Sequence, residues 1–494
     1  MLTNRGCVLA VFVVGILSPG WSARGGEIIT VPGDYPTIQA AINNAQEGDE
    51  VVVSPGTYFE NIDFRGKDIT VRSVDPLDPA VVESTIIDGR SIDSVVIMDR
   101  GTISGFTIRN GYAHFPDKGG GVRLEYASEQ DAEISHNIIS TCTSANHGGG
   151  IRAGSGGPDA TRVIRDNIVT NNLSWGGGGI AVNGIVLVVD NIIASNEVFS
   201  ASGAHGGGID ALGSAIIRRN LIFDNFSDED GGGLSASDDV VVERNMILDN
   251  VSWSHGGGVY ADARAVIRNN TIAGNSVLIG GGGGVYAKAI TAVLGNTIVG
   301  NGANLRGGGV YVAGFITVVG NIIAFSTGPD GLYTPDVSED IITDYNCVFG
   351  NAGGDYGDRG PGEHDINADP LFMDALGADG IPWTEDDNLR LSPDSPCINA
   401  GAPDYIPAPG ETDLDGHARI LCDSIDIGAY EFGIGDFDCD RDVDLFDYEQ
   451  WLICFTGPDA GPYSDGCEAF DANADGDVDW FDYATYQLAF TGTP

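Results

Sequence analysis

Short apolar runs alternate with glycine and asparagine through the middle of the chain, and their spacing predicts stacked coils. Three glycines followed by Val, Ile or Leu recur eight times between Gly119 and Val310, at intervals of 29, 29, 29, 25, 25, 26 and 25 residues. Between the triplets lie β-branched runs, as at 215–217 and 240–242, which are typical of strands buried against an interior. A repeat of this length indicates a solenoid, and no helical period competes with it.

Each coil also carries a pair of asparagine positions five residues apart. The regular pairs are Asn167/Asn172, Asn191/Asn196, Asn220/Asn225, Asn245/Asn250, Asn270/Asn275 and Asn296/Asn301. Asn tolerates left-handed backbone, and its amide can bond to the same amide one coil away, so these positions predict the turns of a parallel β-helix. Cys142 falls on one such position, and we expect a small buried filler there rather than a reactive thiol.

The two ends of the chain differ from the coils. Residues 1–23 predict a signal peptide, with Arg5 before an 11-residue apolar run and small residues at the cleavage zone. That run is too short to span a bilayer, and no later stretch is long enough, so we expect a secreted chain without a transmembrane segment. Ile38, Ala41 and Ile42 follow Thr37 with helical spacing and predict a short capping helix.

The predicted domains are the coils with their N-terminal cap at 24–330, C-terminal coils with a capping segment at 331–433, and a separate module at 434–494. The chain has 71 acidic and 24 basic residues, a formal charge of −47, which argues against nucleic-acid binding and favours divalent cations as counterions. In an exported protein the later cysteines are candidates for disulfides. We expect the pairs Cys397–Cys422 and Cys454–Cys467, which leave Cys347 and Cys439 paired with each other or free.

Several motifs carry a resemblance. The helix at 37–42, the turn at 55–58 and the coils resemble secreted right-handed parallel β-helix proteins of the pectate-lyase-like superfamily, over about residues 27 to 330. Segments at 369–372, 392–401 and 426–432 look like the capping segment found after such helices in surface proteins of environmental bacteria, including planctomycetes. The expected fold is therefore an all-β, right-handed parallel β-helix solenoid with a short capping helix, followed by a small α-helical calcium-loop module.

Two acidic loops in the last 60 residues predict bound calcium. Oxygen side chains stand at positions 1, 3, 5, 7, 9 and 12 of each loop: Asp436, Asp438, Asp440, Asp442, Asp444 and Asp447, then Asp471, Asn473, Asp475, Asp477, Asp479 and Asp482. Six to eight oxygens suit Ca²⁺, and such loops let alternating side chains converge on one ion. The pair resembles a dockerin, which implies a cohesin partner. Arg441 replaces the turn glycine of the first loop, so we expect weaker or distorted calcium binding there. Apolar pairs at 445–446 and 480–481 replace the small hydroxyl residues of dockerins, which argues against a cohesin.

Stacking the repeats aligns two outward columns that suggest a site. The residue before each triplet is in turn Lys118, His147, Gly176, His205, Asp230, His255, Gly281 and Arg306. The residue two after each triplet is Arg123, Arg152, Ala181, Asp210, Ser235, Tyr260, Tyr286 and Tyr311. We interpret this face as a polysaccharide groove. In it Tyr260, Tyr286 and Tyr311 stack sugar rings, while Asp210, Asp230, His205 and His255 supply an acid, a base or metal ligands.

The alternative is that the tyrosines are only cross-strand neighbours and the histidines only begin turns. Pectate lyases of the resembling superfamily use calcium, an acidic cluster and an arginine base, and the chain shows no close match to that set. Asp210 and Asp230 could instead supply the two carboxylates of a glycoside hydrolase. Two functions therefore stay open. One is a carbohydrate-active protein that binds an extracellular polysaccharide and is attached by its calcium module; whether it also cleaves the polymer, as a lyase or a hydrolase, stays open. The other is a non-catalytic surface or adhesion protein whose solenoid is a spacer or scaffold.

Overall fold

The structure, a computed structural model, describes residues 26–116, 119–125, 130–157, 160–199, 205–335, 341–422 and 424–433. Within the terminal module it describes residues 436, 439, 443, 445–457, 463, 467, 470–471 and 476–483. The chain winds as a right-handed parallel β-solenoid of about 12 turns, which confirms the predicted fold class. Each complete coil contributes strands to four ladders, which are numbered here in the order in which they follow a glycine triplet.

The first two ladders belong to one sheet, because the strands Val285–Leu294 and Val310–Val319 run through both. The first ladder contains Ile62–Asp63, Val96–Met98, Val122–Leu124, Ile151–Gly154, Ile180–Asn183, Ile209–Gly213, Leu234–Asp238, Val259–Ala261, Val285–Leu294, Val310–Val319 and Leu332–Tyr333. The second contains Ile28–Val31, Glu50–Val53, Thr70–Ser73, Gly101–Ser104, Ala132–Ser135, Arg162–Arg165, Leu187–Val189, Ile216–Arg218, Val241–Glu243, Val266–Arg268, the later parts of the two long strands, and Ile342–Asp344.

The third and fourth ladders are separate parallel sheets. The third contains Gly56–Tyr58, Thr85–Asp88, Thr107–Arg109, Ile138–Ser140, Ile168–Thr170, Ile192–Ala194, Leu221–Phe223, Met246–Leu248, Thr271–Ala273, Thr297–Val299, Ile322–Ala324 and Cys347–Phe349. The fourth contains Tyr112–Ala113, Thr143–His147, Leu173–Gly176, Glu197–Val198, Phe226–Ser227, Val251–Ser252 and Ser276–Val277. An antiparallel pair, Phe372–Asp374 with Asn388–Leu391, lies in the C-terminal segment.

The interior is a continuous stack of aliphatic side chains. Strand alternation points Val259 and Ala261 inward, where neither is exposed to solvent, and turns Tyr260 to the outer side. The same inward position of the third ladder holds Ile247, Ile272 and Ile298 in successive coils, all fully buried. Because every coil buries its face against the next, the stability of the solenoid comes from contacts between neighbouring coils.

Two asparagine ladders run along the corners of the coils, as predicted. At one rung, the backbone N–H and the Nδ2 of Asn220 both donate to Oδ1 of Asn245 at 3.0 Å. The asparagine ladder that contains Asn220 ends at Asp365, whose carboxylate accepts from Asn346, because the last rung needs only an acceptor. Cys142 occupies a rung of the other asparagine ladder and is fully buried, and burial raises the pKa of its thiol to about 12. This confirms its interpretation as an inert filler.

Short helices occur outside the strand ladders. Ile38–Asn44 forms the predicted capping helix, and Oγ1 of Thr37 accepts from the backbone N–H of Ala40 at 3.2 Å, as an N-cap does. Pro79–Ser84 forms a second short helix, and Leu445–Cys454 forms a helix in the terminal module. No helix in the described part of the chain is both long and apolar enough to cross a bilayer.

The C-terminal segment covers the outer face of the last coils. Ile427, Ala429 and Tyr430 pack in one buried apolar cluster with residues of the third ladder such as Val299 and Ile322. Beneath this cover the guanidinium of Arg419 lies 2.9 Å from the carboxylate of Glu431, and both side chains are almost fully buried. Burial raises the pKa of Glu431 well above its ordinary value. The segment is therefore a folded cap with its own polar centre.

One expected disulfide is wrong. The structure joins Cys422 to Cys439, with a Cα–Cα distance of 5.9 Å, and it confirms Cys454–Cys467 at 5.6 Å. Cys397 is instead buried in the cluster between the cap and the last coils, where Cys347 lies beside it, and both are free thiols. Cys397 therefore faces inward against the solenoid, whereas Cys422 bonds to the first acidic loop of the terminal module.

Candidate functional site

The two columns predicted from the repeats do line up on the outer side of the first ladder. Parallel bridges join His205 to Asp230 and Asp230 to His255, so these residues occupy consecutive coils. Strand register carries the other column through Asp210, Ser235, Tyr260, Tyr286 and Tyr311 without a shift. We call the surface between these two columns the cleft.

Carboxylate and imidazole groups meet along the cleft. Nδ1 of His255 lies 2.9 Å from Oδ1 of Asp230, within hydrogen-bond distance, and Nδ1 of His205 lies 3.7 Å from the other oxygen of the same carboxylate. Asp230 is thus flanked by both predicted histidines, with its side chain 14% exposed. Such an arrangement can hold an imidazole in one orientation.

Asp210 does not join this group. Its carboxylate lies 3.6 Å from Nδ1 of His147, two coils away, and the side chain is only 8% exposed. The ring of His147 can reach this far because Gly176 lies between: a Cβ at Gly176 would come within 2.6 Å of Nδ1 of His147. The cleft therefore holds two separate carboxylate–imidazole sets, and His147 was seen in the sequence column without being assigned a role.

The tyrosines form a stacked ladder that continues from the His205 ring. The His205 and Tyr260 rings are 5.4 Å apart and nearly parallel, Tyr260 and Tyr286 are 5.6 Å apart at 4°, and Tyr286 and Tyr311 are 4.9 Å apart at 14°. Tyr333 adds a further ring, 4.8 Å from Tyr311. The separations between the tyrosine rings are close to the spacing of paired strands, so each tyrosine follows its own coil. The His205 ring reaches Tyr260 from two coils away.

This geometry corrects the expected mode of sugar contact. Because the rings of Tyr260, Tyr286 and Tyr311 turn their faces towards one another, the ladder offers ring edges and phenolic hydroxyls along its length, not faces. Tyr260 is also 7% exposed, although it points away from the interior, since its neighbours cover it. A role of these tyrosines in substrate binding stays a prediction, through hydroxyls and edges.

Burial and neighbouring charge set the state of the ladder. Burial, with the adjacent Tyr311 and Tyr260, raises the pKa of Tyr286 to about 12. Burial and the carboxylate of Asp230 also raise the pKa of Tyr260. The Lys288 ammonium lies 3.4 Å from Oη of Tyr260 and 3.3 Å from Asp262. The phenols of Tyr260 and Tyr286 are therefore neutral hydrogen-bonding groups at physiological pH.

Charged residues border the C-terminal end of the ladder. The Arg306 guanidinium lies 5.1 Å from the centre of the Tyr333 ring and 3.3 Å from Asp330. The Tyr333 hydroxyl donates to Asp358 at 3.1 Å. Sequence reasoning missed Tyr333 because the triplet that should precede it is reduced to Gly331; the pattern Gly-Leu-Tyr at 331–333 was the only signal.

The calcium loops lie partly outside the described residues. Asp438, Asp440, Asp442, Asp444, Asn473 and Asp475 fall there, as do residues 1–23 of the predicted signal peptide. Of the rest, Asp477, Asp479 and Asp482 are buried, and one carboxylate oxygen of each lies within 4.8 Å of the others. Gly476 has φ 92° at the sharp turn of this loop, as expected, and its N–H donates to Asp471.

Asp436, Asp447 and Asp471 are also buried in the terminal module. Three converging buried carboxylates repel one another unless a cation or protons neutralise them, so the donor set of the second loop fits a hard cation.

A second group that sequence reasoning missed, Asp413, Asp415 and His417, lies in the cap. There Asp413 accepts from the backbone N–H of His417 and Glu431, and Asp415 pairs with Arg390, which accounts for the group as part of the cap's structure.

Two family models match parts of the chain, and one of them describes a β-helix. Residues 120–301 match the family model described as right handed beta helix region, and residues 313–401 match one described as disaggregatase related. The comparison with curated protein sequences found no significant match.

Several solved structures are similar to the chain at low identity. The complex structure of XylC with xylose is 12% identical with a TM-score of 0.47, covering 68% of this chain and 84% of that one. Pectate lyase Pel9A is 14% identical with a TM-score of 0.43, covering 82% and 96%. The PL6 family alginate lyase AlyGC is 16% identical with a TM-score of 0.44, covering 78% and 59%. By sequence as well as by structure, residues 120–301 are a right-handed β-helix region.

Proposed function

We propose that this is an exported carbohydrate-active protein that binds a polysaccharide along the cleft and cleaves it there. The observation that supports the proposal is the pairing of Asp230 with His255 at 2.9 Å, beside an uninterrupted ladder of phenols on an outer face. Hydroxyl-rich edges suit hydrogen bonding to a polymer of hydroxyls, and a carboxylate–imidazole pair suits proton transfer.

The chemistry follows from the two histidines around one acid. With Nδ1–H of His255 donating to Asp230, its Nε2 carries a lone pair and is the group that takes a proton from substrate. His205, on the other side of the same carboxylate, supplies the proton to the leaving oxygen. Asp210, with His147, is the second carboxylate that a hydrolase would need. Abstraction of a carbon-bound proton would make the enzyme a lyase, and activation of water would make it a hydrolase.

The test is a screen of the mature chain against neutral and acidic polysaccharides with calcium present. Reducing ends and the ultraviolet absorbance of unsaturated products are read together. His255→Ala and Asp230→Asn should each lower the rate of cleavage at least 100-fold, because a positioned acid or base contributes a factor of this size. His364→Ala is the matched control, because His364 lies 2.9 Å from Asp344 in a similar pair outside the cleft. Equal losses in the control and the cleft variants would show that the effect is on folding.

We further propose that the terminal module binds calcium and attaches the solenoid to a partner or to a surface. The buried carboxylates of Asp477, Asp479 and Asp482 support calcium binding. The exposed Trp480 and Phe481, at 63% and 73%, supply an apolar contact surface beside them. The predicted signal sequence supports export, and detection of the mature chain in the culture medium tests it.

One observation favours a second function. The tyrosine rings cover one another, and this stacking stabilises the coils whether or not a ligand binds. A non-catalytic surface or adhesion protein, with the solenoid as spacer, would need no more than this. Absence of both binding and products on every polysaccharide in the screen would favour that function over catalysis.

A further inference from the structure

The tyrosine ladder does not offer exposed ring faces on which a sugar could stack. The apolar face of a sugar ring packs against the face of an aromatic ring, and the faces along the ladder are turned towards neighbouring rings. If the cleft binds a glycan, exposed ring faces must come from another group of residues beside it.

Such a group precedes the histidine column by one to six residues. The N–H of Phe199 donates to the carbonyl of Ser174, and the N–H of Trp253 donates to that of Ser227, which places Phe199 one coil after Trp175 and Trp253 one coil after Asp228. The aligned positions in successive coils are Trp175, Phe199, Asp228, Trp253 and Leu278. We call this row the rim.

The aromatic members of the rim are far more exposed than the ladder. The exposed fractions are 52% for Trp175, 68% for Phe199 and 47% for Trp253, against 7% for Tyr260. Trp175 follows the outward Leu173 by two residues, so both stand on the outer side of the coil, and Ser174 between them is buried. Trp175 and Phe199 occupy adjacent coils, and Asp228 separates Phe199 from Trp253. Large exposed rings grouped in this way are a typical mark of a ligand surface.

We propose that Trp175, Phe199 and Trp253 form a platform on which the sugar rings of an uncharged polysaccharide stack as the chain crosses the coils. This inference rests on the proposed function and adds the class of substrate. Trp175 and Trp253 are three coils apart, about 14 Å at the spacing of paired strands, so a single extended glycan segment can contact all three rings.

The negative charges of the cleft favour an uncharged polymer over a polyuronate. The cleft holds the carboxylates of Asp210 and Asp230, and the cations along the ladder, Lys288 and Arg306, are each paired with a carboxylate. The whole chain carries a formal charge of −47. A polyuronate would meet repulsion throughout this surface, whereas a neutral polymer has no such cost.

The experiment measures binding of the full mature chain, in calcium, to soluble neutral polymers and to polyuronates. The neutral probes are arabinoxylan, galactomannan and mixed-linkage β-glucan, and the acidic probes are polygalacturonate and alginate. We expect a neutral polymer to bind and the Trp175→Ala/Trp253→Ala variant to bind it about 25-fold more weakly, from roughly fivefold for each of the two aromatic contacts. Trp175→Phe keeps a ring face and should retain binding. Phe59→Ala removes a ring 54% exposed outside the cleft and is the matched control.

The outcomes separate this inference from the proposed function. Neutral binding that is unchanged in the double variant would overturn the platform and leave the proposed function standing. Binding of polyuronates alone would overturn the uncharged substrate. No binding to any polymer would overturn both. Weaker neutral binding in the double variant, with Trp175→Phe and Phe59→Ala near the parent, supports the platform.

Discussion

Replacing Asn245 by alanine should destabilise the solenoid strongly, although the residue touches neither column of the cleft. Asn245 is fully buried. Its Oδ1 accepts from the N–H and Nδ2 of Asn220, both at 3.0 Å. Its Nδ2 donates to the carbonyl of Ile217 at 2.8 Å, to that of Glu243 at 3.0 Å and to Oδ1 of Asn270 at 3.0 Å. The substitution therefore removes five hydrogen bonds at one buried point.

The cost can be worked from the groups left behind. Nδ2 of Asn220 keeps the carbonyls of Val188 and Arg218 as partners, and Oδ1 of Asn270 still accepts from the backbone N–H of residue 245. The N–H of Asn220 loses its only acceptor in the ladder, and a buried donor without a partner costs roughly 1–3 kcal/mol. With about 1 kcal/mol for each of two further bonds lost, the expected destabilisation is about 4 kcal/mol.

Urea unfolding followed by circular dichroism measures this loss, with Asn304→Ala as the control. Asn304 is exposed, so its removal should cost less than about 1 kcal/mol. Because a solenoid can unfold in parts, the midpoint and the slope of the transition are compared together. A midpoint for Asn245→Ala equal to that of Asn304→Ala would refute the argument that the amide ladder holds the coils together.

Three further results are expected. Peptide mapping without reduction should recover Cys422 linked to Cys439, and a linkage of Cys422 to any other cysteine would contradict the structure. Since the folded pKa of Tyr286 is about 12 and that of a free phenol is about 10, its neutral state stabilises the fold below pH 10, and this contribution is lost as pH rises from 10 to 12. Stability measured across that range should fall more steeply in the parent than in Tyr286→Phe. Calcium should raise the unfolding temperature of the module, followed by tryptophan fluorescence, and Asp479→Ala should remove that increase; an equal response in both would argue against this site.

The coils and columns could be predicted from the sequence because each coil repeats the same pattern of residues at the same positions. Glycine triplets, asparagine rungs and inward aliphatic positions recur at a constant interval, so one coil predicts the next. The expectation that Asp230 lies between His205 and His255 is confirmed for this reason. Tyr333 escaped prediction because its coil has lost two of the three glycines.

Ring orientation and disulfide pairing were out of reach for a different reason. Whether Tyr286 offers a face or an edge depends on the room between neighbouring rings, and Gly281 provides that room: a Cβ there would come within 2.6 Å of Cδ2 of Tyr311. The partner of Cys422 depends on the path of a cap that has no period. In both cases the deciding contacts lie between segments whose spacing the repeat does not encode.

Because hydrogen bonds along the asparagine ladder all run in one direction, the length of the solenoid can change by whole coils. An asparagine rung such as Asn245 accepts from the coil before it and donates to the coil after it, so one such rung can follow another. Removing residues 270–295, one coil of 26 residues, would bring Asn296 under Asn245 and Tyr311 next to Tyr260. The cleft would become shorter by one step of about 4.8 Å and would keep its register. The number of repeats, more than any single residue, thus sets the length of this surface.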